Sequence, residues 1–138
     1  MSEENKELAR RWFEEVWNQG RESAIKEMYH RDGRAFGFPE PDSVLNGPDE
    51  FAAIWRQFRS AFPDVHVTVD DIVAEGDRVA VLWTATMTHL GGGLGFPASS
   101  KKVSLQGSSF LLCGEGQIKE GRNQMDFTRV RLQLQEKV

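Results

Sequence analysis

The chain has 138 residues, 17 of them basic and 21 acidic, for a net charge of −4, and 39% of its side chains are hydrophobic. Residues 1–138 are therefore expected to form a single domain with its own core, and without a basic block nucleic acid is a poor partner. No apolar run approaches the length of a membrane span, so no membrane partner is expected.

The opening Met-Ser-Glu-Glu-Asn-Lys-Glu is polar and lacks the apolar centre of a signal peptide. The single cysteine, Cys113, has no second thiol to pair with and lies in an apolar run. Both features lead to the expectation of a cytoplasmic protein in which Cys113 is a small core residue.

Ser2 followed by three glutamates suits the start of a helix. Leu8, Trp12, Phe13, Val16 and Trp17 recur at helical spacing, and Gly20 is a natural left-handed stop. A second, shorter helix is expected over about Glu22 to Tyr29, with Ala24, Ile25 and Met28 inward. Arg34 to Phe38 reads as a short strand and Pro39-Glu40-Pro41-Asp42 as a loop. Gly47-Pro48-Asp49-Glu50 opens a third helix, with proline in the first turn and acids at the positive end. Its buried stripe is Phe51, Ile54, Trp55, Phe58 and Phe62, and Pro63-Asp64 stops it.

From Val65 the hydrophobic period becomes two. The alternation slips at Asp70-Asp71, which predicts a bulge and a bend. Glu75-Gly76-Asp77 is a hairpin turn. A long strand runs from Arg78 to about His89, with Val79, Val81, Trp83, Ala85, Met87 and His89 on one face. Leu90 to Pro97 is a glycine-rich loop with apolar residues among its glycines. It does not carry the Gly-x-Gly-x-x-Gly order between a strand and a helix, so it reads as a rim or lid and not as a phosphate cradle. Val103 to Cys113 is another strand with both faces fairly apolar, which suggests helices on one side and a partner subunit on the other.

Gly116 to Phe127 follows a Gly-Glu-Gly turn and alternates like a strand. Strict alternation places Ile118, Glu120, Arg122, Gln124 and Asp126 on one side, and that polar side is expected to line a pocket. The tail from Thr128 to Val138 fits either a final strand or a short helix. Helices first and then a run of long strands is an α+β pattern, in which a bent sheet around helices leaves a cavity open at one end.

Several stretches together resemble the SnoaL-like polyketide cyclase family, within the nuclear transport factor 2-like superfamily. They are Trp17-Asn18-Gln19-Gly20, Ala61-Phe62-Pro63-Asp64-Val65, the run from Ala74 to Val81, Trp83-Thr84, Thr88-His89 and Leu94-Gly95-Phe96-Pro97. The likeness covers about Asn5 to Leu134. It implies a cone-shaped α+β barrel, a curved antiparallel sheet wrapped around N-terminal helices. It also implies a homodimer through the sheet, and neither metal nor organic cofactor.

By the same resemblance Asp126 matches the general acid/base of characterised cyclases, and His89 matches a cavity-lining histidine. Trp17, Phe36, Trp55, Trp83, Met87 and Gln124 are expected at the ligand. The family often carries tryptophan where Arg122 stands, asparagine at Gln124 and histidine at Phe36. Arg122, on the same side of that strand, is expected to join it in catalysis. A carboxylate in a dry pocket can remove a proton between two carbonyls and then protonate the new alkoxide. Three readings stay open: a cofactor-independent cyclase or isomerase acting on a small apolar carbonyl compound, a hydrolase in which Asp126 and Arg122 activate water, and a non-catalytic ligand-binding or dimerisation module.

Overall fold

A computed structural model describes residues 2–91 and 99–135. Helix α1 (Ser2–Arg11) runs directly into a π-helical segment, Trp12–Asn18. Helix α2 (Ser23–Met28) follows, then strand β1 (Tyr29–Phe36) and the short strand β2 (Val44–Asn46). Helix α3 (Gly47–Ala61) leads into four strands: β3 (His66–Glu75), β4 (Arg78–Thr88), β5 (Lys102–Gly114) and β6 (Gln117–Met125). The tail, left open between strand and helix by its sequence, is helix α4 (Phe127–Gln135).

The six strands form one curved, unclosed sheet in the order β2-β1-β6-β5-β4-β3. The sheet is mixed, because β1 runs parallel to β6 while every other pair is antiparallel. The expected slip in β3 is present as a register shift between Val69 and Asp71. The inner face of β4 (Val79, Val81, Trp83, Ala85 and Met87) is buried, as the period-two pattern requires.

The helices fill the concave side, and side-chain amides sew them to the sheet. Asn5 Nδ2 donates to the Gly76 carbonyl at 3.0 Å in the β3–β4 turn. Ser2 does not cap its own helix; its hydroxyl accepts the Gly76 N–H at 3.1 Å. Asn18 grips edge strand β3 at two points, accepting the Val67 N–H at 2.7 Å and donating to the Val67 carbonyl at 2.9 Å. An asparagine side chain thus imitates a neighbouring strand. Gly20, at φ 66°, leaves room for the Arg59 guanidinium, which donates to the Trp17 carbonyl at 2.6 Å. These contacts give Trp17-Asn18-Gln19-Gly20 a structural role.

The alternation of β6 contains the one large departure from the expected pattern. Cys113 pairs with Ile118, but Leu112 pairs with Glu120, so Lys119 is an extra residue in the ladder. Beyond it the faces exchange. Gly121 is buried and Asn123 and Met125 are half-buried facing inward, while Arg122, Gln124 and Asp126 are exposed. A shift of one residue moves a whole side-chain set to the other face.

Candidate active site: an apolar pocket

The cavity lies between the helices and the inner face of the sheet. The π segment contributes Trp12, Phe13 and Trp17; α3 contributes Phe51 and Phe58; the strands contribute Tyr29, Trp83, Leu105, Ser109, Leu111, Asn123 and Met125. It offers about 70 Å³, roughly half of the about 150 Å³ that an apolar cavity needs to take up benzene. Even a single-ring ligand therefore requires its aromatic walls to part.

Those walls are built from packed rings. Trp17 meets Phe38 and Phe58 edge-on, with centroids 5.6 and 5.5 Å apart. Trp12 lies 5.2 Å from Phe51, and Phe13 lies 6.4 Å from Trp83. The Tyr29 hydroxyl is directed away from ligand chemistry, donating to the Leu45 carbonyl at 2.9 Å. Burial, with a smaller contribution from Glu50, raises the Tyr29 pKa, so its phenol stays protonated.

The polar part of the lining is a chain of three side chains. Trp83 Nε1 donates to Ser109 Oγ at 3.0 Å, Ser109 Oγ donates to Asn123 Oδ1 at 2.7 Å, and Asn123 Nδ2 donates to the Phe36 carbonyl at 3.1 Å. Gly107 makes this possible: a Cβ there would lie 2.5 Å from the far edge of the Trp83 indole. Among the described lining residues there is no carboxylate, imidazole, lysine or arginine, and no cluster suited to a metal ion occurs among the described residues.

Of the residues expected at the site, Trp17 and Trp83 line the cavity. Trp55 is buried behind it, its indole donating to the Val16 carbonyl at 3.2 Å. Met87 is buried further along β4 and is not part of the described lining. Phe36 is half-buried, with the Arg122 guanidinium 4.4 Å above its ring. Arg122 also pairs with Glu120 at 2.8 Å, on the outer face of the sheet. Gln124 is exposed beside it. Asp126 is exposed and acts as the N-cap of α4, its Oδ1 accepting the Arg129 N–H at 2.9 Å. Arg122 and Asp126 thus hold different partners; Arg122, Gln124 and Asp126, expected toward the pocket, are exposed beyond the bulge at Lys119 and are not part of the described cavity lining.

His89 is fully buried and packs against Phe62, with ring centroids 5.5 Å apart. Its Nδ1 accepts the Ser99 N–H at 3.2 Å and lies 3.0 Å from the Ser99 hydroxyl. An Nδ1 that accepts a backbone N–H belongs to a neutral ring, and burial lowers the His89 pKa in the same sense. The ring joins the two legs of a neck that His89 N to Lys101 O and Ser100 N to His89 O also close, at 2.9 and 2.8 Å. Gly91 sits against the end of α3, donating to the Ala61 carbonyl at 3.2 Å, where any Cβ would collide with the Ser60 carbonyl. Residues 92–98, on which the expected lid and the Leu94-Gly95-Phe96-Pro97 motif fall, lie outside the described residues.

Asp64, expected only to stop α3, clamps the end of β4 by accepting the Thr88 N–H and hydroxyl, each at 2.7 Å. Its burial raises the carboxyl pKa, but the Thr88 bonds, a bond to its own backbone and the charge of Lys102 outweigh that and leave it below the usual range. Cys113 is buried, and burial with the charge of Asp77 pushes its thiol up to about 11. It is a core residue and an inert thiol.

The profile of the SnoaL-like polyketide cyclases matches residues 7–134. The chain belongs to the SnoaL-like polyketide cyclase family. Among characterised family relatives, aklanonic acid methyl ester cyclase DnrD of Streptomyces peucetius is 26% identical over 131 residues, 94% of this chain and 90% of that protein. A SnoaL-like polyketide cyclase structure from Jannaschia sp. CCS1 superposes with a TM-score of 0.90 at 24% identity, covering 99% of this chain and 95% of that one. AclR of Streptomyces galilaeus, described as a candidate hydroxylase, superposes at 0.84 with 25% identity over 97% of this chain and 82% of its own. Likeness of fold alone does not fix the chemistry, and function rests on the site.

Sequence reasoning missed Ser109 and Asn123 as lining residues. The available signal was Gly121: an isolated glycine inside a strand marks a bulge or a close backbone approach, and either breaks strict alternation through β6.

Proposed function

We propose that the protein binds a small, neutral, largely apolar carbonyl compound in its cavity and catalyses ring closure or isomerisation by acid/base chemistry without an organic cofactor. The observation that carries this reading is a largely aromatic lining whose described polar side chains are all neutral, with Trp83, Ser109 and Asn123 linked to one another. A charged ligand would lose its hydration there without a counter-charge. A neutral ring with one or two oxygens loses little. The cyclase family is the context that makes carbonyl chemistry the leading choice.

Asp126 is the proposed acid/base. Met125, its neighbour, lines the cavity. Exchanging the Arg129 N–H contact for the substrate would bring the carboxylate to the cavity rim. It would then take a proton from the carbon beside the carbonyl, and the resulting enolate would attack a second carbonyl. The alkoxide formed would recover the proton from Asp126. A hydrolase built on an Arg122–Asp126 pair has less support, because Arg122 is engaged by Glu120 and Phe36.

The test is hydrogen–deuterium exchange of the methyl protons of acetophenone in D2O, followed by NMR. Acceleration by the wild type and its loss in Asp126→Asn support the enzyme. Binding without exchange favours a second reading, a ligand-binding module, for which the capping role of Asp126 speaks.

A homodimer through the outer face of the sheet is part of the same proposal. Leu82, Phe110 and Val73 are 41, 46 and 59% exposed there, an apolar surface of the kind that marks an interface. Sedimentation should give a dimer, and Phe110→Asp a monomer; a monomeric wild type refutes it. A cytoplasmic setting fits the single buried thiol.

A further inference from the structure

The chain Trp83–Ser109–Asn123–Phe36 has a direction that its two ends impose. An indole N–H can only donate, and a backbone carbonyl can only accept. Ser109 therefore receives from Trp83 and must send its own hydrogen to Asn123, at 3.0 and 2.7 Å. Asn123 must in turn present Oδ1 to Ser109 and Nδ2 to the Phe36 carbonyl, 3.1 Å away. No flip of the amide satisfies both neighbours.

The backbone beneath is held as firmly. A Cβ at Gly37 would collide with the Asn123 carbonyl oxygen, and a Cβ at Gly107 would displace the Trp83 ring. Both glycines let neighbours approach to where these bonds form.

After these commitments Asn123 retains one amide N–H and one lone pair on Oδ1, on a residue of the cavity wall. We propose that Asn123 is the polar anchor of the ligand site, its remaining N–H donating to a carbonyl or enolate oxygen of the ligand. Ser109 and Trp83 are positioning residues that fix the amide, and the ligand class is a single-ring aryl ketone or its enol. This rests on the cavity-binding reading above. A donor already fixed where negative charge develops needs no reorganisation during reaction, so the same N–H would serve a developing enolate.

The experiment compares two probes of one shape: acetophenone, and α-methylstyrene, in which a CH2 group replaces the carbonyl oxygen. Binding is read from ligand-induced shifts of methyl and aromatic resonances in the full-length protein. The side-chain amide signals of Asn123 are assigned by their loss in Asn123→Leu. The wild type is expected to prefer acetophenone by roughly three- to tenfold, with one Asn123 amide proton moving downfield. Asn123→Leu should bind both probes equally. Ser109→Ala should lose most of the preference although Asn123 is still present, and this variant decides the matter if Asn123→Leu does not fold.

Equal binding of the two probes by the wild type, or a preference that survives in Ser109→Ala with an unmoved amide signal, overturns the anchor and leaves the cavity reading standing. Failure of both probes to bind overturns both.

Discussion

Gly107→Ala tests the geometry around Trp83 directly. The new methyl would lie 2.5 Å from two carbons of the indole and 3.0 Å from the Gln124 carbonyl oxygen. The ring has little freedom to yield, because Trp83 is only 6% exposed, contacts Phe13 and is tied through Nε1 to Ser109. Overpacking of this kind costs about 1–3 kcal/mol. Against it stands a gain of about 0.4–1 kcal/mol from the reduced freedom of the unfolded chain. The expected net loss is about 1–2 kcal/mol, read as a lower urea midpoint at unchanged slope. Trp83→Phe removes the two carbons that clash, so adding Gly107→Ala to that variant should cost nothing or stabilise. A double-mutant cycle isolates the coupling. If alanine at 107 costs the same in both backgrounds, the penalty does not come from the indole and the account of this wall is wrong.

Asn18→Ala removes both bonds to Val67 and should cost about 1–3 kcal/mol, with faster hydrogen exchange at the Val67 amide; unchanged exchange would show that the clamp does not hold the edge strand. Asp126→Asn keeps an N-cap on α4 and should leave stability within about 0.5 kcal/mol, whereas Asp126→Ala should cost about 1 kcal/mol; both should abolish exchange of ketone protons, so a drop in stability for the asparagine variant comparable to alanine contradicts the cap. His89 has a lowered pKa in the fold, so folding favours its neutral form. Its contribution is complete above the unfolded value of about 6.5 and is lost as pH falls through that value toward the folded one, at no more than about 1.4 kcal/mol per pH unit. Urea midpoints between pH 8 and 5 should fall more for the wild type than for His89→Gln; parallel curves would mean that another group titrates.

The helices, the hairpin at Gly76 and the inner face of β4 were legible because each is a local pattern: a 3.6 or 2.0 period closed by a glycine or proline. The bulge in β3 was legible because the alternation itself breaks at Asp70-Asp71. That in β6 was not, since the letters from Gly116 to Asp126 alternate plausibly on either side of Lys119. The extra residue is fixed by pairing with β5, a long-range fact. One missed residue shifted Arg122 and Gln124 to the opposite face of β6 and hid Asn123. Of the aromatic stripe of the first helix only Trp17 is expected at the ligand, and Trp12, Phe13 and Trp17 are core and cavity wall at once. A helical period shows only which side chains turn inward; whether they meet each other or an empty space depends on the opposite wall.

The order β2-β1-β6-β5-β4-β3 places β6, the last of the described strands, in the interior of the sheet. Strands β1 and β2 touch the other three only through β6, whose Gly121 and Arg122 pair with Ala35 and Phe36. During synthesis the aromatic helices emerge well before the strand that completes their enclosure, and non-local pairing of this kind is slow to form. A chain without β6 would therefore hold two sheet fragments with no ladder between them. Docking of β6 between β1 and β5 is the step that joins them and completes the sheet wall of the aromatic pocket.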